Sequence, residues 1–244
     1  MLLRSIIEHV KAQNWTAVVL DFVIVVVGVF MGIQVSNLND AGRERLSEAH
    51  YLERFADEIE LTITHIREER TFAETALGVV EKFTTQIYRD SASDEQVLSA
   101  AEEFLSTGAF FVNFRPIRTT FDDLVSTGNL EIIKNEDIRT GLIRLHARYE
   151  EAQNTIESNI VWIQQGEDRI YYNFDAFRFD ARTGILFDDI TSERLADDIR
   201  KNRELLRRHA AFHYWLKVRS VELYEDVEPQ AQAVLDLIKA ERGE

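Results

Sequence analysis

The sequence contains no cysteine, so it has no disulfide, no zinc-binding thiolate and no thiol nucleophile. Proline is almost as scarce, with Pro116 and Pro229 the two examples. Convincing alternation of apolar and polar residues, the pattern of β-strands, is also missing, apart from one short candidate at residues 183–189. These absences favour an all-α fold.

Basic residues are outnumbered, with 28 Lys and Arg against 43 Asp and Glu, which gives a net charge of -15. Nucleic acids and anionic lipid surfaces select clusters of Lys and Arg, so this balance argues against both as partners. The sequence also has no Gly-rich phosphate loop and no GxSxG motif. We therefore predict a protein that is not an enzyme, with no cofactor and no small-molecule substrate.

The longest apolar stretch runs from Trp15 to Val35. As a helix, about 21 residues span roughly the 30 Å of a bilayer's hydrocarbon core. The stretch continues into polar, helix-compatible residues instead of a small-residue cleavage site, so it predicts an uncleaved transmembrane helix and not a removable signal peptide. The alternative is a buried core helix of a soluble protein. The lipid bilayer is thus the first predicted partner.

One carboxylate, Asp21, interrupts this apolar stretch. On a helix it shares a stripe with Gly28, Gly32 and Ser36, and the Gly28/Gly32 spacing lets two membrane helices approach closely. The stripe predicts helix packing through Gly28, Gly32 and Ser36. Asp21 has three interpretations: a partnered acid near the headgroups, a protonated acid in a helix contact, or an ion-coupling group similar to the one in small subunits of rotary stator motors.

Three runs with apolar residues every three or four positions predict long amphipathic helices. The runs cover residues 52–87, 138–163 and 195–237. Thr62 and Glu69 are the only breaks in the first run, and Pro229 predicts a kink or restart in the third. We predict one N-terminal transmembrane helix that continues into a long-helix bundle or coiled-coil-like domain. The first helix can pair within the chain or with a copy of itself.

Turn signals complete the expected organisation. The predicted segments are an amphipathic tail at 1–14, the transmembrane helix at 15–36, a long stalk-like helix at 37–90 and the remainder of the bundle at 91–244. Ser93, Thr120 and Asn135 are placed to cap helices, whereas Gly108 and Gly128 are placed to end them.

Two clusters in the domain are candidate sites. His209 and His213 have a spacing that can bind zinc, but Ala210 occupies the position of the HExxH general base. Because both histidines lie on the apolar run, we interpret them as core residues and predict no metal site.

The second cluster combines arginines with aromatic residues, the types favoured at interface hot spots. Its members are Phe110, Phe111, Phe114, Arg115 and Arg118. The cluster is a candidate interaction epitope. The alternative is an aromatic loop that closes one end of the bundle, with its arginines paired to Asp122 and Asp123.

Two segments have a familiar pattern: DFVIVVVGVFMGIQVSNLNDAGRERLSEAHYLERFADEI, from Asp21, and TFDDLVSTGNLEIIKNEDIRTGL, from Thr120. Both segments resemble an uncharacterised family of bacterial single-pass membrane proteins. Asp21 stands where that family usually has Glu, and Leu38 where it usually has an aromatic residue. The resemblance implies the topology and a helical domain, and it implies no activity.

The predicted location is the bacterial inner membrane, which the chain crosses once through the predicted transmembrane helix, here called the anchor. Arg4 and Lys11 precede the anchor, and Arg43, Arg45 and Arg54 follow it. The numbers of basic residues on the two sides are nearly equal, so the positive-inside rule does not decide the orientation. A short tail before the anchor and a long domain after it favour a periplasmic domain. We predict self-association or binding of another envelope or membrane protein; the alternative is an accessory subunit of an ion- or proton-coupled complex that uses Asp21.

Overall fold

The computed structural model of the protein describes residues 15–173 and 191–244, and every regular element in these ranges is helical. The described ranges contain six α-helices, which are α1 (Trp15–Tyr88), α2 (Asp94–Glu103), α3 (Thr119–Ser126), α4 (Glu136–Asn173), α5 (Ser192–Lys201) and α6 (Arg203–Arg242). A π-helical turn covers Phe104–Gly108 and a 3-10 turn covers Leu130–Ile132. The predicted all-α fold is confirmed. The predicted tail at 1–14, the candidate at 183–189 and the side chain of Asp21 lie outside the described residues.

The chain divides into two units, one ending at His50 and one beginning at Tyr51. The first unit contains the N-terminal part of α1. This part carries an apolar stretch that is long enough to cross a membrane, and none of the stretch is buried within the chain. Water does not favour so much uncovered apolar surface on one helix, whereas a lipid environment accommodates it.

The second unit begins with the predicted apolar run on α1, and this run is buried. Residues 52–66 belong to a core shared with α3, α4 and α6, and residues 80–87 belong to a second core with α2, α5 and the start of α6. The first long helix therefore pairs within the chain, which was one of the two alternatives.

The helices α4 and α6 are antiparallel neighbours. Asn135, at the start of α4, donates a hydrogen bond from Nδ2 to Glu241 near the end of α6, at 2.7 Å. Further along α4, the ring of Trp162 lies 5.1 Å from that of Phe212, in the first half of α6. The start of α4 thus lies beside the end of α6, and the second half of α4 lies beside the first half of α6.

The helix α1 is also antiparallel to α6. Glu60 of α1 pairs with Lys239 near the end of α6, and Glu81, further along α1, accepts a hydrogen bond from Tyr214 in the first half of α6.

The third predicted run differs from the structure at two points. It is split at Asn202, whose side chain donates to the backbone oxygen of Asp198 at 2.9 Å and so ends α5. Of the kink or restart predicted at Pro229, the restart is wrong, because α6 runs through this residue. Buried neighbours in the adjacent turns, Val227 and Ala231, anchor the helix on both sides of the exposed proline.

Most of the predicted helix boundaries are present in the structure. Ser93 forms a capping box with Gln96, and the Oδ1 atom of Asn135 accepts the N–H of Asp137 at 3.0 Å, so both caps are confirmed. Gly128, with φ 71°, closes α3 as predicted. Thr120 is not a cap: it lies in the first turn of α3, where the carboxylate of Glu58 on α1 accepts its N–H.

Gly108 ends the π-helical turn, and its lack of a side chain is required there. A Cβ atom at this position would lie 2.7 Å from Cδ2 of Phe104 and 3.3 Å from side-chain atoms of Val79 and Val80. Glycine therefore lets the turn pack directly against α1.

Candidate functional site

The segment between the π-helical turn and α3, residues 109–118, has little secondary structure and is held by α1. The N–H of Asn113 donates to the Glu69 carboxylate at 2.9 Å, and the N–H of Ile117 donates to the Thr62 hydroxyl at 3.1 Å. Thr62 and Glu69 are the two polar residues that interrupt the apolar run. These polar residues interrupt the apolar run because their side chains accept hydrogen bonds from the backbone N–H groups of Asn113 and Ile117.

The same segment is held from the other side by α6. The Nζ atom of Lys217, a fully buried lysine, donates to the backbone oxygen of Phe110 at 2.9 Å. The hydroxyl of Tyr224 donates to the backbone oxygen of Asn113 at 2.7 Å. Buried backbone oxygens need such donors, so these two side chains stabilise the irregular course of the segment.

The candidate epitope in this segment is divided between interior and surface. Phe114 is a core residue, Phe111 is half-buried with its ring 5.6 Å from that of His213, and Phe110 is exposed. Arg115 is exposed as well.

The arginines of the epitope differ in their partners. Arg118 pairs with Asp122 at 3.4 Å, as the loop-closing interpretation expects. Asp123 instead lies 3.8 Å from Arg54 of α1. Only part of the predicted cluster is therefore accessible for binding.

His146 of α4 is a buried titratable residue that the sequence analysis did not single out. Its ring stacks on Phe121 at 4.0 Å and lies 5.5 Å from the ring of Tyr149. Burial, with a smaller contribution from the Arg118 charge, lowers the pKa of His146 to about 3. Within the described residues, neither ring nitrogen has a hydrogen-bond partner. The imidazole is therefore neutral at physiological pH.

His209 and His213, the weak candidates for metal binding, are buried in the domain. Their rings are 4.7 Å apart and lie 6.0 and 5.9 Å from the ring of Phe104. These contacts are those of core histidines packed against an aromatic neighbour, as interpreted from the sequence.

A cluster of partly exposed aromatic side chains lies between the second half of α4 and the first half of α6. Here Trp162 packs edge-on against Phe212 at 5.1 Å and against Trp215 at 5.6 Å. The exposed fractions of Trp162, Phe212 and Trp215 are 54%, 44% and 39%, so each ring is only partly covered. Clusters of exposed apolar side chains mark interaction sites.

A cavity of about 380 Å³ adjoins these rings. Its lining combines apolar side chains with three polar ones, those of Gln165, Arg208 and His209. The apolar side chains are those of Trp162, Ile163, Leu205 and Phe212. We call this cavity, together with the exposed rings of Trp162, Phe212 and Trp215, the aromatic groove. Its volume and mixed lining are typical of a binding site with an apolar base and a polar rim.

The sequence pattern carried a signal for the aromatic groove that the sequence analysis passed over. Leu205, Arg208, Phe212 and Trp215 recur at helical spacing, one position before the residues of the buried run on α6. Such a second stripe widens the apolar face of a helix beyond what one neighbouring helix covers.

The predicted packing face of the anchor is open. A Cβ atom at Gly28 or Gly32 would meet no other described atom within 4 Å. The hydroxyl of Ser36 donates to Asp40 of the same helix at 3.5 Å. The described part of the chain thus leaves this face uncovered, while the side chain of Asp21 lies outside the description.

Comparisons of the chain with protein-family models, with curated proteins and with solved structures found no match. The resemblance to an uncharacterised membrane-protein family therefore stays a prediction. Function has to be argued from the surfaces of this chain.

Proposed function

We propose that this protein is a non-enzymatic, single-pass protein of the bacterial inner membrane whose periplasmic helical domain binds another envelope protein. The observation that carries the proposal is the aromatic groove. Trp162 and Trp215, the two tryptophans of the second unit, both lie there and are partly exposed. Tryptophan is the residue most enriched at binding hot spots, and its exposure without a partner costs free energy.

The anchor supports the membrane part of the proposal. Its apolar stretch is uncovered within the chain, and the face with Gly28 and Gly32 is open for close contact with a second helix. Contact in the membrane and contact through the groove would then act together, since tethering to one surface raises the effective concentration of the partner.

The orientation is tested by cysteine labelling, which the absence of natural cysteines makes specific. Ala240→Cys places a thiol at an exposed position near the end of α6, and Ala12→Cys places one before the anchor as the matched control. A membrane-impermeant thiol reagent is added to cells with a permeabilised outer layer. We expect labelling at position 240 and protection at position 12 until lysis; the reverse pattern overturns the periplasmic assignment.

Binding through the groove is tested with a photoreactive amino acid at Phe212 in the full-length protein in cells. Arg144, exposed on α4 outside the groove, is the control position. We expect a discrete protein adduct from position 212 that is lost when Trp162 is also changed to Ala, and no such adduct from position 144. The same adduct pattern at both positions, or none at position 212, overturns the proposal.

A further inference from the structure

The stretch that ends α5 and forms the first part of α6, where α6 lines the aromatic groove, is basic in a strongly acidic chain. Residues 200–219 contain seven Lys and Arg and a single acid, Glu204, while the whole chain has a net charge of -15. An uneven distribution of this kind produces a local positive potential, which attracts an acidic partner.

Most of these basic side chains have partners inside the domain. Arg200 pairs with Asp94 at 2.6 Å, and Arg219 pairs with Glu222. The guanidinium groups of Arg203 and Arg207 lie over the ring of Tyr88 at 5.0 and 5.7 Å.

Arg208 differs from these arginines, because it is exposed at the rim of the aromatic groove. Among the described residues, none forms a salt bridge with it at 4.0 Å or less. Its charge acts through space on Glu204, one turn earlier on α6, whose carboxylate pairs with Arg207 at 3.1 Å. The groove thus presents a cation without a close ion pair among the described residues, beside a largely apolar cavity.

The stripe of Leu205, Arg208, Phe212 and Trp215 has the geometry that receives a helix. Its residues are spaced by three and four positions along α6, and the facing wall is Trp162 of α4. Amphipathic helices bind in grooves of this kind through apolar side chains at the same spacing.

We infer that the aromatic groove docks an acidic amphipathic helix of another protein, with an apolar side chain in the cavity and a carboxylate paired with Arg208. This inference rests on the proposed function and names the class of its partner. A second copy bound groove to groove is disfavoured, because the described lining of the groove contains Arg208 and no carboxylate that could pair with it.

The test uses the full-length protein in detergent with Trp15→Phe, so that Trp162 and Trp215, the remaining tryptophans, report on the groove. The probes are two synthetic amphipathic helices of about 18 residues, long enough to span roughly 27 Å. Both present Leu and Phe on one face; the other face carries Glu in the first peptide and Lys in the second. Binding is followed through tryptophan emission.

We expect saturable binding of the acidic peptide and none of the basic peptide. Arg208→Glu and Phe212→Ala should each weaken binding of the acidic peptide about tenfold or more, the loss typical of a hot-spot residue. Both side chains are exposed, so these variants retain the fold, which circular dichroism verifies. Arg144→Glu, an equal charge reversal outside the groove, should leave binding unchanged.

Several results overturn the inference. The inference fails if both peptides bind with equal affinity, or if Arg208→Glu leaves the affinity for the acidic peptide unchanged. It also fails if tryptophan emission changes with anionic vesicles but not with the acidic peptide. A concentration-dependent dimer that Arg208→Glu abolishes would overturn it as well. If the adduct from position 212 forms in cells but the acidic peptide is not preferred, the proposed function stands and the inference fails. If the adduct is also missing, both fail.

Discussion

The carboxylate of Glu58 on α1 accepts hydrogen bonds from both the backbone N–H and the hydroxyl of Thr120 on α3, at 3.1 and 2.8 Å. The Glu58 carboxylate is thus the hydrogen-bond acceptor for the N-terminus of α3, a role that usually belongs to the side chain of the N-cap residue itself. Glu58→Ala should lower the free energy of unfolding by about 1–3 kcal/mol, because α3 loses an acceptor at its N-terminus. Chemical denaturation measures this loss.

Glu53 provides the control for that prediction, since it is an exposed acid on the same helix. Glu53→Ala should change the free energy of unfolding by less than about 0.5 kcal/mol. Equal stability of the two variants would show that the carboxylate of Glu58 does not stabilise α3.

Two buried tyrosines offer a matched comparison. The Tyr224 hydroxyl donates to the backbone oxygen of Asn113, whereas the Tyr149 hydroxyl has no hydrogen-bond partner among the described residues. Tyr224→Phe should therefore cost about 1–2 kcal/mol of unfolding free energy, and Tyr149→Phe should be neutral or stabilising. Thermal denaturation ranks the variants, and the opposite order would contradict the hydrogen bonding described.

A second matched comparison uses two glycines. A Cβ at Gly108 would lie 2.7 Å from the Phe104 side chain, whereas a Cβ at Gly78, within α1, would meet nothing within 4 Å. Gly108→Ala should destabilise the domain by about 1–3 kcal/mol through overpacking. Gly78→Ala should stabilise it by up to about 1 kcal/mol, because alanine favours the helix. Urea denaturation midpoints that shift in the same direction would refute this contrast.

His146 should make the domain sensitive to acid. Its pKa is about 3 in the folded state and about 6.5 when unfolded, so the unfolded chain binds the extra proton first. The stability contributed by the neutral imidazole is complete above about pH 6.5 and is lost as the pH falls towards 3, by up to roughly 1.4 kcal/mol per pH unit. Denaturation curves recorded across this range measure the slope.

Replacing the imidazole isolates this contribution. His146→Phe keeps an aromatic ring against Phe121 and should flatten the dependence on pH. An unchanged slope in His146→Phe would assign the acid sensitivity to other groups.

The anchor can be tested separately from the domain. Replacing Gly28 and Gly32 by Ile should disrupt the helix contact that we propose for this face in the membrane, because branched side chains keep the two backbones apart. Replacing Val26 and Val27 by Ile is the control for added volume. Crosslinking of the full-length protein in membranes measures assembly; survival of the assembly in the glycine variant would exclude this face.

Asp21→Asn distinguishes the two classes of membrane function. A protein that acts by interaction should retain assembly and function with asparagine at this position. An ion-coupled subunit should assemble but lose activity.

Apolar periodicity predicts most of the fold. The features that it does not predict depend on side-chain hydrogen bonds that are visible only in three dimensions. Glu58 replaces Thr120 as the cap of α3, and no local pattern reveals an acceptor that lies 62 positions away. The break at Asn202 looked like a polar residue within a continuous run, because its side-chain bond to the backbone of Asp198 is visible only in three dimensions.

For the candidate sites, too, apolar periodicity predicts which residues are buried but not which contacts form between helices. The position of His209 and His213 on the apolar run predicts core residues, and both are buried. The aromatic groove was missed because Trp162 and Phe212 lie on different helices, and their contact depends on the antiparallel packing of α4 and α6. Periodicity on one helix predicts which face is apolar, not which part of that face a neighbour leaves uncovered.

The segment at residues 109–118 is held through its backbone, at Phe110, Asn113 and Ile117, by side chains that belong to α1 and α6. Its path is therefore encoded elsewhere in the chain. Exposed residues such as Phe110 and Arg115 can be replaced without loss of these hydrogen bonds. The segment can therefore change the side chains that it presents to solvent while its backbone keeps the same path.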